Sequence, residues 1–176
     1  KLTGFFQMDA GWFAQDTNSQ ALLGNIQNDI GFRRTRLAAV GDLADNISYM
    51  IEMDFSFPGR PSFMDVWADV HEVPWLGNIR IGQWRQPFGL DELTSVRELT
   101  FLERPTMFAM APFRQPGIGF HNSNADETMT WAGSVYGFQA DQFGGTLGDR
   151  GVGTAERFTA LLWNECNGRE VLHFGL

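Results

Sequence analysis

The chain has 176 residues, a formal net charge of −8 and 43% hydrophobic residues, a length that suits one domain. The acidic balance excludes wholesale binding of nucleic acid or acidic lipid. The single cysteine, Cys166, allows neither an internal disulfide nor a cysteine metal cluster, and no apolar run reaches the roughly eighteen residues of a membrane-spanning helix. The mean hydropathy of −0.21 is equally compatible with a β-barrel around a wet lumen.

Read along the chain, apolar and polar residues alternate in segments of about ten, the period of strands with one apolar and one polar face. The first strand is expected over Leu2 to Ala14, with Leu2, Phe6, Met8 and Trp12 on one parity and Thr3, Gln7 and Asp9 on the other. Thr17 to Asn28 is polar and reads as a loop. Phe32 to Leu43 is the second strand, Ala44-Asp45-Asn46 a tight turn, and Ile47 to Phe55 the third strand, with Tyr49, Ile51 and Met53 opposing Ser48, Glu52 and Asp54. The stretch Phe57-Pro58-Gly59-Arg60-Pro61 breaks the chain before a fourth strand, Phe63 to His71, and Pro74 to Asn78 precedes a fifth, Ile79 to Gln86.

Between Phe88 and Arg104 the spacing changes. Leu90, Leu93, Val96, Leu99 and Leu102 recur near the helical period, and Asp91 and Glu92 suit a helix N-terminus. One short helix is therefore expected to interrupt the strands, followed by an irregular segment marked by Pro105, Pro112 and Pro116. Strands resume at Gly117 to Asn122, Met129 to Phe138, Arg157 to Trp163 and Val171 to Leu176, with a Gly-rich loop over Gln139 to Thr154. About nine strands result. Connections after the first, fifth and seventh are long and those after the second, sixth and eighth short, while the third and fourth are about equal. Long outer loops and short inner turns have this rhythm in a transmembrane barrel. The six tryptophans, at 12, 67, 75, 84, 131 and 163, suit two interfacial girdles.

The block Gly82-Gln83-Trp84-Arg85-Gln86-Pro87-Phe88-Gly89-Leu90-Asp91-Glu92-Leu93-Thr94-Ser95, continued by Leu99-Thr100-Phe101-Leu102-Glu103-Arg104, Ala111-Pro112 and Gly117-Ile118-Gly119, resembles a signature of the phosphate-selective porin O and P family. Gly31 to Leu37, Tyr49 to Phe55 and Asp65 to Trp67 are similar to that family's second, third and fourth strands, and the likeness runs from about Gly4 to Phe138. It implies an all-β fold: a transmembrane antiparallel β-barrel of sixteen strands in the family, trimeric, in the outer membrane, with an inward-folding loop corresponding to Phe88 to Gln115. About nine strands cannot close such a barrel, and an open edge in lipid would cost several kcal/mol per unpaired group. Residues 1–176 are therefore expected to be one partial barrel domain, the N-terminal half of a longer protein. The implied partners are membrane lipid, small solutes or anions and two further copies of the chain. No cofactor, metal or nucleic acid is expected.

The candidate solute-guiding residues are Arg33, Arg34, Arg36 and Arg85, with Gln83, Asp65 and Asp69 on polar faces and Arg97, Arg104 and Arg114 in or beside the supposed constriction. Alternation forbids Arg33 and Arg34 from sharing a face in a regular strand, and headgroup anchoring is the plain alternative for some of these arginines. For the charges of residues 91–104, helix pairing and tethering are the plain alternative. The family's phosphate selectivity rests on a basic ladder. Here Lys1 is the sole lysine and carboxylates share the polar faces, so a general or differently selective pore fits at least as well. His71, His121 and His173 lack metal spacing, the Gly133-Ser134-Val135-Tyr136 stretch lacks a nucleophile elbow, and Gly144 to Gly151 lacks the end of a phosphate loop. No enzyme is expected. The alternatives are a structural barrel anchoring an envelope or surface complex and a soluble β-sandwich binding module.

Overall fold

The structure is a computed structural model that describes residues 1–57, 59–138, 151–165, 168 and 170–176. It is one nine-stranded sheet in the order of the sequence, formed by β1 (Leu2–Gly11), β2 (Asp29–Ala44), β3 (Ile47–Asp54), β4 (Ser62–Val73), β5 (Gly77–Arg85), β6 (Arg114–Ser123), β7 (Met129–Gly137), β8 (Val152–Glu165) and β9 (Glu170–Gly175). All pairings are antiparallel. This is an open meander with β1 and β9 as its edges, and not the two packed sheets of a sandwich. Among the described residues no helix is long and apolar enough to cross a membrane.

The connections alternate without exception. Those at 12–28, 55–61, 86–113 and 138–151 are long, and those at 45–46, 74–76, 124–128 and 166–169 are short. Consecutive antiparallel strands put the two sets at opposite ends of the sheet. The expected tie between the third and fourth connections is resolved because β4 runs on to Val73 through Glu72, which adopts a φ of 60°. The Gly144 to Arg150 stretch and Cys166 lie outside the described residues.

One face of the sheet is apolar and exposed. Phe6, Met8, Leu37, Ile51, Phe63 and Ile81 lie there on successive strands; simple alternation with their polar neighbours Gln7, Asp9, Arg36, Glu52 and Arg80 puts five of them there, and Phe63 reaches that face through a bulge at Met64 and Asp65. The other face carries the polar set and is partly covered by the 86–113 connection. The core is correspondingly small and mixed: Trp84 and Tyr136 are buried beside Asp65, Asp69, Ser134 and Gln86. A protein solved only by water would bury the apolar face instead. The observed sidedness is that of a wall with an apolar exterior and a polar interior.

Two local elements differ from expectation. Residues 17–28 are not all loop, because α1 (Thr17–Leu23) forms there. The Asp16 side chain caps it by accepting from the Ser19 N–H at 2.7 Å, and Gly24 ends it at a φ of 76°, a legible pair of start and stop signals. The expected helix after Phe88 is only α2 (Leu90–Leu93), and a 3-10 turn follows at Thr106–Met110. The leucine period continues beyond α2, but contacts with the wall decide the path of the chain. Pro116 within β6 is tolerated because β7 pairing starts only at Gly117, so no neighbour there needs its missing N–H.

Gly82 lies in β5 with a φ of 134°. A Cβ there would overlap the Val66 carbonyl oxygen and come within 2.7 Å of the Trp67 Cα. Gly82→Ala is expected to cost about 1–3 kcal/mol in strained backbone and displaced β4, read as a lower unfolding temperature of the folded form in heat-modifiability gels.

Candidate functional site

The arginines of β2 gather on the polar face through a β-bulge. Register passes from Gln7 opposite Arg34 to Met8 opposite Phe32, which leaves Arg33 as the extra residue. A bulge lets two consecutive side chains share a face, so Arg33 and Arg34, which would diverge in a regular strand, both lie on the polar face here. The Arg34 guanidinium donates to the Gln7 side-chain oxygen at 2.7 Å. Arg33 lies 3.8 Å from Asp9, on the same face as Gln7, and pairs with Glu103 of the long connection.

A second bulge on β4 sets the carboxylates. Pairing jumps from Ile51–Val66 to Met53–Phe63, so Glu52 faces both Met64 and Asp65. Arg36 then donates to Asp54 at 2.9 Å and lies 3.7 Å from Glu52. Arg114, the first residue of β6, donates to Asp65 at 2.7 Å and shares Glu52 at 3.7 Å. These side chains are almost fully covered, at 9% exposure for Arg114 and 10% for Asp65. Asp69 takes a two-pronged bond from Arg80 at 2.9 and 2.5 Å, and Arg80 stacks 4.0 Å above the Trp67 ring.

The 86–113 connection is held against this face. Arg85, the last residue of β5, donates to the carbonyls of Leu93 at 2.8 Å and Thr94 at 3.1 Å. Arg104 donates to Thr94 O at 2.7 Å and lies 3.5 Å from Asp91. Burial lowers the Arg104 pKa from its ordinary value while Asp91 opposes the change; a guanidinium stays charged regardless. Arg157 of β8 donates to Phe88 O at 3.0 Å. Gln86, wholly buried, donates to the Trp84 and Gln115 carbonyls and accepts from Ser134 at 2.6 Å. Arg97 leans over the Phe5 ring of β1 at 5.5 Å, with Arg36 at 5.7 Å.

Two hollows result. One of about 340 Å³ lies between connection and wall, lined by Arg36, Glu52, Asp65, Arg85, Arg97 and Arg104, among others. Another of about 540 Å³ is lined by Arg33, Arg34, Arg36, Asp54, Gln83 and Arg114, among others. The structure thus brings Arg33, Arg34, Arg36, Arg97, Arg104, Arg114, Arg85, Gln83 and Asp65 around one inward segment. Gln83 donates to the Phe63 and Met64 carbonyls. Asp69 is apart from these, at the level of Arg80 and His121. Among the described residues no carboxylate lies within ion-pair distance of Arg34, Arg85, Arg97 or Arg157, so these are the arginines of the polar face whose charge is not matched by a neighbour.

Sequence reading missed Arg80 and Arg157 as inward cations. Arg80 follows from hairpin counting once the 74–76 turn is known, since it falls opposite Asp69. Trp67 and Trp84 leave the expected girdles, the first stacked on Arg80 and the second buried against the connection. Trp75, at 98% exposure in a short turn, and Trp163 lie toward the other rim from Trp12. Among the described residues no group of three or more His, Cys, Asp or Glu side chains is placed to hold a metal ion.

No curated protein matches the chain. The family model for phosphate-selective porin O and P matches residues 1–176, the whole chain. A single meander sheet with an apolar outer face, a charged inner face and an inward-tied segment is the architecture such a match calls for, and the chain belongs to the phosphate-selective porin O and P family of outer-membrane porins.

Proposed function

We propose that this protein is a passive pore for small hydrophilic solutes, acting as a homotrimer. The inward segment narrows its lumen, and a mixed field with a modest preference for anions fills it. The observation that carries the reading is the fastening of residues 86–113 to the charged face by Arg85, Arg104 and Arg157. A segment placed there sets pore width, while the side chains around it set the potential. Anion preference is assigned to Arg34, Arg85 and Arg97. Selectivity for phosphate is not part of the proposal, because Arg36, Arg80, Arg104 and Arg114 each have a carboxylate partner. A matched pair presents little net charge to a passing ion.

Reconstitution of the whole protein in planar bilayers tests this reading. Stepwise single-channel conductance is expected, with no turnover. Arg34→Glu is expected to lower the anion-to-cation permeability ratio about five-fold, the equivalent of about 1 kcal/mol for a charge close to the ion path. Absence of conductance would instead favour a structural barrel.

A further inference from the structure

Toward the short-turn end of the inner face, side chains from four strands form one continuous hydrogen-bonded line that takes no part in fastening residues 86–113. Ser48 Oγ of β3 lies 2.8 Å from His71 Nε2 of β4. His71 Nδ1 lies 3.0 Å from Asn78 Oδ1 of β5. Asn78 Nδ2 makes a longer contact, 3.5 Å, with His121 Nδ1 of β6. His121 Nε2 lies 3.2 Å from Asp69, which also holds Arg80.

The donors and acceptors in this line fix where protons can sit. With Asn78 oriented in this way, its oxygen accepts from His71 Nδ1–H and its amide donates to His121 Nδ1. His121 then carries its proton on Nε2, toward Asp69. In this arrangement His71 can take a second proton on Nε2, since the Ser48 hydroxyl can turn and accept. His121 cannot, because its Nδ1 already faces a donor. Rotating the carboxamide by half a turn reverses the roles: His121 can charge, and His71 must stay neutral. One carboxamide oxygen serves one imidazolium at a time.

We propose that His71 and His121 are specificity-determining residues of the pore, a proton-dependent station that gains one positive charge, shared through Asn78, when the lumen acidifies. The proposal rests on the permeation reading. Imidazole is the side chain that ordinarily changes charge between about pH 5 and 8. The charged groups facing His121 are Asp69 of β4, Arg80 of β5 and, across a hollow of about 360 Å³, Arg85 and Arg157. Those near His71 are Asp69 and Glu72 on its own strand and Asp42 of β2, which is paired in register with Ser48. Asp69 and Arg80 offset one another, so an added imidazolium changes the net charge of this ring of residues. Permeating anions would meet it as an additional attractive station beyond the constriction.

The test is the reversal potential of the whole protein in planar bilayers under a salt gradient, at pH 8 and pH 5.5. The parent is expected to become several-fold more anion-selective on acidification. His71→Gln and His121→Gln are each expected to keep most of that change, because the remaining imidazole can still charge. The double variant is expected to lose it. A double variant that keeps the parental change overturns the proposal, as do single variants that each remove half of it. Conductance absent at every pH overturns the pore reading and this one with it. Where the double variant fails to insert, NMR titration of the histidines in the parent decides: two well-separated midpoints support coupling through Asn78, and two coincident independent curves overturn it.

Discussion

Removing both principal fastenings of the inward segment, in an Arg85→Ala/Arg104→Ala protein, is expected to raise single-channel conductance and to expose residues 86–113 to protease. Arg85 donates to the carbonyls of Leu93 and Thr94, and Arg104 to that of Thr94. Hydrogen bonds from a charged group are each worth about 1.5–3 kcal/mol. Losing one from each arginine therefore releases the segment by roughly 3–6 kcal/mol, a hundredfold or more in its open population. The Arg33–Glu103 pair and the Arg157 bond to Phe88 O remain, so the segment is expected to detach at α2 first. Limited proteolysis with fragment identification checks the order. Equal conductance in the parent and double variant would show that the segment does not set pore width.

Arg114→Ala is expected to be the most destabilising single change in the wall. Its guanidinium is the near partner of Asp65 at 2.7 Å and a second partner of Glu52 at 3.7 Å, and it packs 4.6 Å from the Phe113 ring. Among the described residues, truncation leaves Asp65 with no cation within ion-pair distance and Glu52 with Arg36 as its one cation. Removing one member of a covered ion pair costs about 3–5 kcal/mol, chiefly because the other charge stays desolvated. Asp65→Asn/Arg114→Gln leaves no such charge at that pair and is expected to recover much of the loss. Urea unfolding in lipid vesicles, followed by tryptophan fluorescence, distinguishes the two. Similar stability for Arg114→Ala and the paired variant would mean that packing on Phe113, and not the charge, dominates.

These two arginines also show where sequence reading stops. Both sit at strand ends, Arg85 closing β5 and Arg114 opening β6, in register with one another. At a strand end the chain is about to leave the pleat, and alternation no longer dictates direction. The same limit applies to Arg33 and Arg34. The period of two is a local rule, and a bulge suspends it by one residue that only the partner strand reveals. The partner of Arg33 is Glu103, about seventy residues away in sequence, brought close by a segment whose path no local preference encodes.

The local pattern of residues sets the sidedness of the wall. Phe6, Met8, Leu37 and Ile51 on one parity, with Gln7, Asp9, Arg36 and Glu52 on the other, admit only a sheet with unlike faces, because a strand has no other way to separate neighbours. It also determined the number of strands, the interruption after Phe88 and, through the Gly82 to Arg104 block, the family. Which charges neutralise one another emerges with the folded sheet. Arg36 with Asp54, Arg114 with Asp65 and Arg80 with Asp69 are cross-strand pairs, and their matching depends on register and on two bulges. Net charge near a pore is a sum over such pairs within a few ångströms, and composition carries no distances.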